Sequence, residues 1–196
     1  MTTLYLTSNS SLRYDENYED LETLIISDVT RSYLDILRKS NPKNLDIIAW
    51  RFHNEHMNIF ANKTSIRSMY LNINTPITLP PFLKSLTTDY ITNSLCDYIR
   101  HSKSLRLLCI SSTITDNLLN ALSDNNSIEK FSSYHLSNIN LILEKNYTIL
   151  AFNLIGQGYI YCKRNIKLLT IRRNIMARQI QQAWSYSKFR KAIILE

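Results

Sequence analysis

The sequence predicts an α/β solenoid, a curved parallel sheet with short helices or turns on its convex side and a helical cap at the C-terminal end. Three observations predict it. An apolar frame, L-x-x-L-x-L, recurs along the chain; short helical patterns or turns separate the copies; and the last segment leaves the frame for a basic helix.

The frame is clearest within residues 103–136. Leu105, Leu108 and Ile110 form one copy, and Leu118, Leu119 and Leu122 follow at helical spacing. Asn126 ends that pattern, and Ile128, Phe131 and Ser133 start the frame again. The same frame fits Leu21, Leu24 and Ile26; Leu45, Ile48 and Trp50; Ile66, Met69 and Leu71; and Leu83, Leu86 and Thr88. Further on it fits Ile149, Phe152 and Leu154, then Ile166, Leu169 and Ile171, while Leu4, Leu6 and Asn9 make a partial first copy. About nine copies result, spaced roughly 17–24 residues apart, against about 20–29 for repeats that each add one strand.

One such unit cannot bury the apolar edge of its own strand, so stacked units bury those edges against each other in a continuous core. Side chains alternate along a strand. The positions between the inward ones therefore face the concave side: Ile25, Ala49, Tyr70, Thr87, Cys109, Ser132, Asn153 and Thr170. The second positions of the frame face sideways and carry both signs of charge: Glu22, Asp46, Arg67, Lys84, Arg106, Glu129 and Lys167. Such a row reads as charge pairing between repeats, which contributes little when exposed.

Between the strands, the polar, acidic residues 9–20 read as a loop. Arg31–Ser40 reads as a return helix with Tyr33, Leu34 and Leu37 inward, broken by Asn41-Pro42-Lys43. A short return runs through Met57, Ile59 and Phe60, and the proline-rich stretch 74–82 reads as extended. Helices are expected at 92–102, with Leu95, Cys96 and Ile99 inward, and at 137–145, with Ile139, Ile142 and Leu143. Gly156 and Gly158 mark a turn. Asn precedes several strands, at Asn44, Asn62, Asn126 and Asn146, and is expected there because it tolerates the left-handed backbone that closes a helix. The alternative for Asn9, Asn62, Asn125 and Asn146 is a glycosylation sequon.

These residues resemble the leucine-rich repeat superfamily. Thr115-Asp116-Asn117-Leu118-Leu119-Asn120-Ala121-Leu122 is similar to the helix of its strand-plus-helix repeats. Asn74-Thr75-Pro76-Ile77 followed by Leu79-Pro80-Pro81-Phe82-Leu83-Lys84-Ser85-Leu86 resembles one FNIP repeat, with Ile73 where Phe is usual. FNIP repeats occur in social amoebae and in giant viruses that infect amoebae. The viral proteins often carry an F-box and resemble ubiquitin-ligase adaptors; no F-box-like segment is visible here, so only partner binding is carried over. The resemblance implies a viral or protist protein, in the host cytoplasm if viral.

The solenoid is expected to span residues 1–174 and a basic capping helix residues 175–196. From Lys163 to Lys191 the chain is cationic, with no acid before Glu196, and this stretch carries all of the excess positive charge behind the net +7. Ile175–Ile194 reads as a helix with Met176, Ile180, Ala183 and Trp184 along the side that should cover the open end of the sheet. The cations of this basic tail include Arg172, Arg173, Arg178, Lys188, Arg190 and Lys191. They allow three readings: a solvated cap, a nucleic-acid contact through phosphate neutralisation, or a calmodulin-type partner for the IQ-like run from Ile180-Gln181 to Arg190, in which Ser185 and Tyr186 replace the expected basic residue and Gly.

No apolar run spans a bilayer, and no secretory signal is evident. Three sparse cysteines, Cys96, Cys109 and Cys162, read as reduced thiols in the cytoplasm. His53 and His56 lack the H-E-x-x-H arrangement, His101 and His135 are isolated, and the acid pairs Asp15-Glu16 and Glu19-Asp20 sit in a loop. No P-loop or nucleophile elbow is present. No catalytic, metal or cofactor residue is assigned, and a non-enzymatic scaffold is expected. Its protein partner would meet Arg51, Tyr70, Lys130, Tyr134 and Arg172 on the concave face, since Tyr and Arg dominate interface hot spots.

Overall fold

A computed structural model describes residues 3–7, 18, 21–27, 31–48, 58–74, 76, 78–134, 142, 146, 148–154, 158–162, 165–168, 170–171 and 173–181. Among these residues, nine strands form one sheet in chain order: β1 (Thr3–Leu6), β2 (Thr23–Ile26), β3 (Asn44–Ile47), β4 (Ser68–Leu71), β5 (Ser85–Thr88), β6 (Leu107–Ile110), β7 (Lys130–Ser133), β8 (Ala151–Leu154) and β9 (Gly158–Tyr161). The first eight run parallel, and β9 pairs with β8 antiparallel. Among the described residues, three helices return the chain: α1 (Arg31–Lys39) after β2, α2 (Asn93–His101) after β5 and α3 (Asp116–Asp124) after β6. A single sheet of parallel strands in sequence order with short helical returns is an α/β, solenoid-like arrangement.

Each strand is four residues long, and in β2 to β6 its second and fourth positions are buried while the first and third are half-exposed. The inward positions align across the sheet as Leu24, Leu45, Met69, Leu86, Leu108, Phe131 and Phe152. With Tyr33, Ile36 and Leu37 of α1, Leu95, Cys96 and Ile99 of α2, and Leu118, Leu119, Ala121 and Leu122 of α3, the buried inward residues make one core. Helices α2 and α3 start alike: Thr92 and Thr115 accept hydrogen bonds from Leu95 N (3.2 Å) and Leu118 N (3.3 Å), supplying acceptors for otherwise unpaired first-turn donors. Thr88 takes an inward position that elsewhere is mostly aliphatic. Its hydroxyl donates to Tyr90 O, and a small pocket remains beside it, lined by Leu71, Ile73, Leu79, Tyr90, Thr92 and Leu95.

Asparagine has a different role from the one expected. Asn125 caps α3 with an extended backbone (φ −76°), not a left-handed one. Its buried side chain donates to Ile99 O (2.6 Å) and Ser102 O (3.0 Å) of the preceding repeat and accepts from Ser127 N and Ile128 N (both 2.8 Å) ahead of its own strand. Asn146 repeats this one turn later, donating to Leu122 O and Asn125 O (both 2.6 Å) and accepting from Thr148 N (2.8 Å) and Ile149 N (3.0 Å). Asn165 continues the donor half, to Asn146 O and Ile149 O. Between α1 and β4 the same place holds Lys63, whose Nζ donates to Arg38 O (2.8 Å) and Ser40 O (2.7 Å), and burial lowers its pKa. This ladder pairs carbonyls at corners where no strand partner reaches them. It also closes Asn125 and Asn146 to glycosylation, because both are buried and bonded.

Two further expectations change. The frame at Leu45, Ile48 and Trp50 is out of phase: β3 turns Leu45 and Ile47 inward and leaves Ile48 exposed. Pro42, also buried, precedes them in the first position of the frame. Nor do residues 166–171 form a strand. Strand β9 begins at Gly158, directly after the three residues that follow β8, and a parallel partner would need a crossover of about a dozen residues or more. The sheet therefore ends antiparallel, and residues 165–168, 170–171 and 173–181 are helical.

Candidate functional site

The face of the sheet turned away from the core carries residues that packing leaves free to vary. Its central row, in register across adjacent strands, is Ile25, Asp46, Tyr70, Thr87, Cys109, Ser132 and Asn153. The phase of β3 thus puts Asp46, not Ala49, on this face. Tyr70 sits at its middle. Its hydroxyl donates to Asp89 Oδ2 at 2.7 Å, just beyond β5, and Asp46 lies beside it on β3. Burial comes first, then the hydrogen bond and charge of Asp89, in pushing the Tyr70 phenol up to about 12. Burial also raises Asp46 above the ordinary value of 3.8 and the Cys109 thiol above 9.0, with Asp89 adding to the latter. Cys109 is therefore held protonated at neutral pH, which makes it a poor nucleophile.

This centre is acidic on a chain of net charge +7. Two carboxylates around a phenol present acceptors to a cationic or N–H-rich group. Burial of Asp46 has a testable consequence. A carboxyl whose folded pKa is raised holds its proton more tightly in the folded protein; its contribution to stability is full below the unfolded pKa and is lost as pH rises through the folded value. Asp46→Asn should therefore raise the melting temperature at pH 7 and leave it unchanged near pH 3, as read by thermal unfolding across pH.

The residues expected to meet a partner fall into separate groups. Tyr70 is on β4. Lys130 opens β7 and Tyr134 follows it, exposed to 51 %, so these two flank one strand. Adjacent strands lie about 4.8 Å apart, which places that pair roughly 14 Å from Tyr70. Arg51 and Arg172 lie outside the described residues, as do His53, His56, His135, the acid pairs of residues 15–20, and Lys188, Arg190 and Lys191. Arg173 and Arg178 are exposed on the C-terminal helical stretch. So are Ile175, Met176 (61 %) and Ile180 (64 %), which leave their aliphatic surface to solvent instead of covering the end of the sheet. Ala183 and Trp184 are outside the described residues.

The sequence places Asp46 in the sideways row, not on this face, and does not single out Asp89. Asp89 directly follows a strand whose phase was correctly read, so counting one position past Thr88 would have found it. Asp46 was hidden by the phase of β3. The sideways row changes with it: Lys43, not Asp46, is its member, and Lys167 lies in the helical stretch.

Among the described residues no three His, Cys, Asp or Glu side chains converge as a metal set, and no helix is long and apolar enough to cross a membrane. No known protein family, curated protein or solved structure matches the chain.

Proposed function

We propose that the chain is a leucine-rich-repeat solenoid, with an FNIP-like return at 74–82, that binds a protein partner through its strand face. The observation that carries this is the contrast across the sheet. Inward positions are mostly apolar and buried, while the opposite face presents Tyr70, Asp46 and Asp89 at its centre and Lys130 and Tyr134 beyond them, in no role the core requires. Supporting it, most copies of the apolar frame coincide with strands, and Asn125 and Asn146 sit at the same place in successive repeats.

The test is affinity capture from host-cell extract with the full chain, followed by titration of the purified partner against Tyr134→Ala. A hot-spot role predicts a loss of about 2 kcal/mol in binding. The substitution should leave folding intact, because Tyr134 lies beyond the strand and is half exposed. Unchanged affinity in both Tyr134→Ala and Tyr70→Phe would remove the strand face from the interface.

A second reading is favoured by the exposed aliphatic side chains on the basic C-terminal helix. There the ligand would be nucleic acid, or an acidic calmodulin-type protein whose groove takes an amphipathic helix. Nucleic-acid binding should collapse between low and physiological salt, and Arg173→Ala with Arg178→Ala should weaken it for every sequence alike.

A further inference from the structure

A line of positive charge runs along one edge of the sheet, formed by the residues immediately before the strands. Backbone hydrogen bonds fix their alignment: Lys43 N to Glu22 O (3.0 Å), Arg67 N to Lys43 O (2.7 Å), Lys84 N to Arg67 O and Arg106 N to Lys84 O (both 2.8 Å), and Glu129 N to Arg106 O (2.9 Å). The row therefore reads Glu22, Lys43, Arg67, Lys84, Arg106, Glu129. Adjacent parallel strands are about 4.8 Å apart, so four consecutive cations span roughly 15 Å. All four are exposed.

Among the described residues, little answers this charge. Lys43 and Lys84 meet no carboxylate and no hydrogen-bond acceptor among the described residues. Arg67 turns its guanidinium to Thr64 O (2.5 Å) and over the Phe82 ring, 5.7 Å from its centre. Arg106 donates to Ser127 O, with Glu129 3.7 Å away. Like charges on neighbouring strands oppose folding, so the run is a standing electrostatic demand for an anion. Phe82 lies within the same edge and is 51 % exposed, an aromatic surface beside an arginine.

We propose that the edge from Lys43 to Arg106 docks a short acidic segment of a protein partner, with Phe82 as its apolar anchor. Length and ends decide the occupant. Extended peptide rises about 3.3 Å per residue, so about five residues cover the four cations. Glu22 and Glu129 close the row at both ends with the opposite sign. A peptide can place neutral or basic residues over them; a nucleic-acid strand carries a phosphate at every step and would run onto one glutamate or the other. This surface is separate from the strand face around Tyr70.

The test is fluorescence anisotropy of the full chain with a labelled, glutamate-rich peptide of about eight residues containing one leucine, near physiological salt. An oligothymidylate of equal length serves as competitor. Lys43→Ser with Lys84→Ser should weaken peptide binding at least tenfold, and Phe82→Ala should weaken it severalfold. Arg178→Ser and Tyr134→Ala should leave it unchanged. The melting temperature of the double variant should be equal to or above that of the parent, since neither lysine side chain has a partner among the described residues. The proposal is overturned if the parent does not bind the peptide, if the double variant binds it as well as the parent, if Arg178→Ser weakens it equally, or if the oligonucleotide displaces the peptide at equal or lower concentration.

Discussion

Asn146→Ala will lower stability by about 3–4 kcal/mol, whereas Asn126→Ala will change it by less than about 0.5 kcal/mol. The two asparagines have similar sequence surroundings and opposite positions. Asn126 is exposed. Asn146 is 2 % exposed and ties two repeats together: its amide donates to Leu122 O and Asn125 O, and its carbonyl accepts from Thr148 N, Ile149 N and Thr148 Oγ1. Alanine leaves those backbone groups buried without partners, at about 1–3 kcal/mol each before water enters or the corner relaxes. For a chain of this length, each kcal/mol corresponds to roughly 2–4 °C in melting temperature, so a drop of about 10 °C is expected. Asn146→Asp separates the two halves of the role. It keeps the acceptor but, when ionised, loses both donors and sets a charge against two carbonyl oxygens. It should destabilise strongly at neutral pH. Equal melting temperatures for the position 126 and 146 variants would mean that the ladder does not hold the corners.

The second large effect is at Phe131. Phe131→Ala should cost about 3–5 kcal/mol, measured by urea or thermal unfolding, and Phe131→Leu less than about 1.5 kcal/mol. Phe131 is fully buried at the second position of β7, aligned with Leu108 on one side and Phe152 on the other. Truncation opens a cavity that neighbours held by a continuous strand ladder cannot close. Phe82→Ala is the comparison: its ring is half exposed and covered on one side by Arg67. Its loss should be felt in binding at the cationic edge and hardly at all in stability. A deficit at Phe82 as large as that at Phe131 would contradict this division between core and surface.

The difference between the face around Tyr70 and the edge around Lys84 bears on how one chain could use two surfaces. The face centre carries Asp46 and Asp89 and suits a cationic group; the edge carries four cations and suits an acidic one. They lie on different sides of the same strands, so a partner with segments of both signs could engage both at once, with the avidity that linkage confers.

Much of this architecture was legible in the chain itself. Strand side chains alternate, so Leu86, Leu108 and Phe131 had to share one buried face once their frame was recognised. Leu95, Cys96 and Ile99, like Leu118, Leu119 and Leu122, had to line one side of a helix. Tyr70 was placed on the outer face by the same parity. Three features were not legible. The run Leu45-Asp46-Ile47-Ile48-Ala49-Trp50 offers apolar residues in either phase, and the choice was made by the hydrogen bonds of Lys43 N and Asn44 N to Glu22 O, contacts between residues about 20 apart in sequence. That choice extended a run of three cations to four and brought Asp46 beside Tyr70. The asparagine ladder was also closed to local reasoning. Backbone preference points to a left-handed corner, but the buried carbonyls of Ile99 and Ser102 needed donors, and only the stacked neighbour reveals them. Finally, the apolar frame at Ile166, Leu169 and Ile171 is compatible with a strand or a helix. The short hairpin into β9 filled the sheet edge first, which left this segment no strand to pair with in parallel. Local periodicity determined which residues are buried in β2 and in β4 to β7; pairing between distant strands decided the phase of β3, the ladder and the end, because hydrogen bonds across the sheet act between residues that periodicity cannot connect.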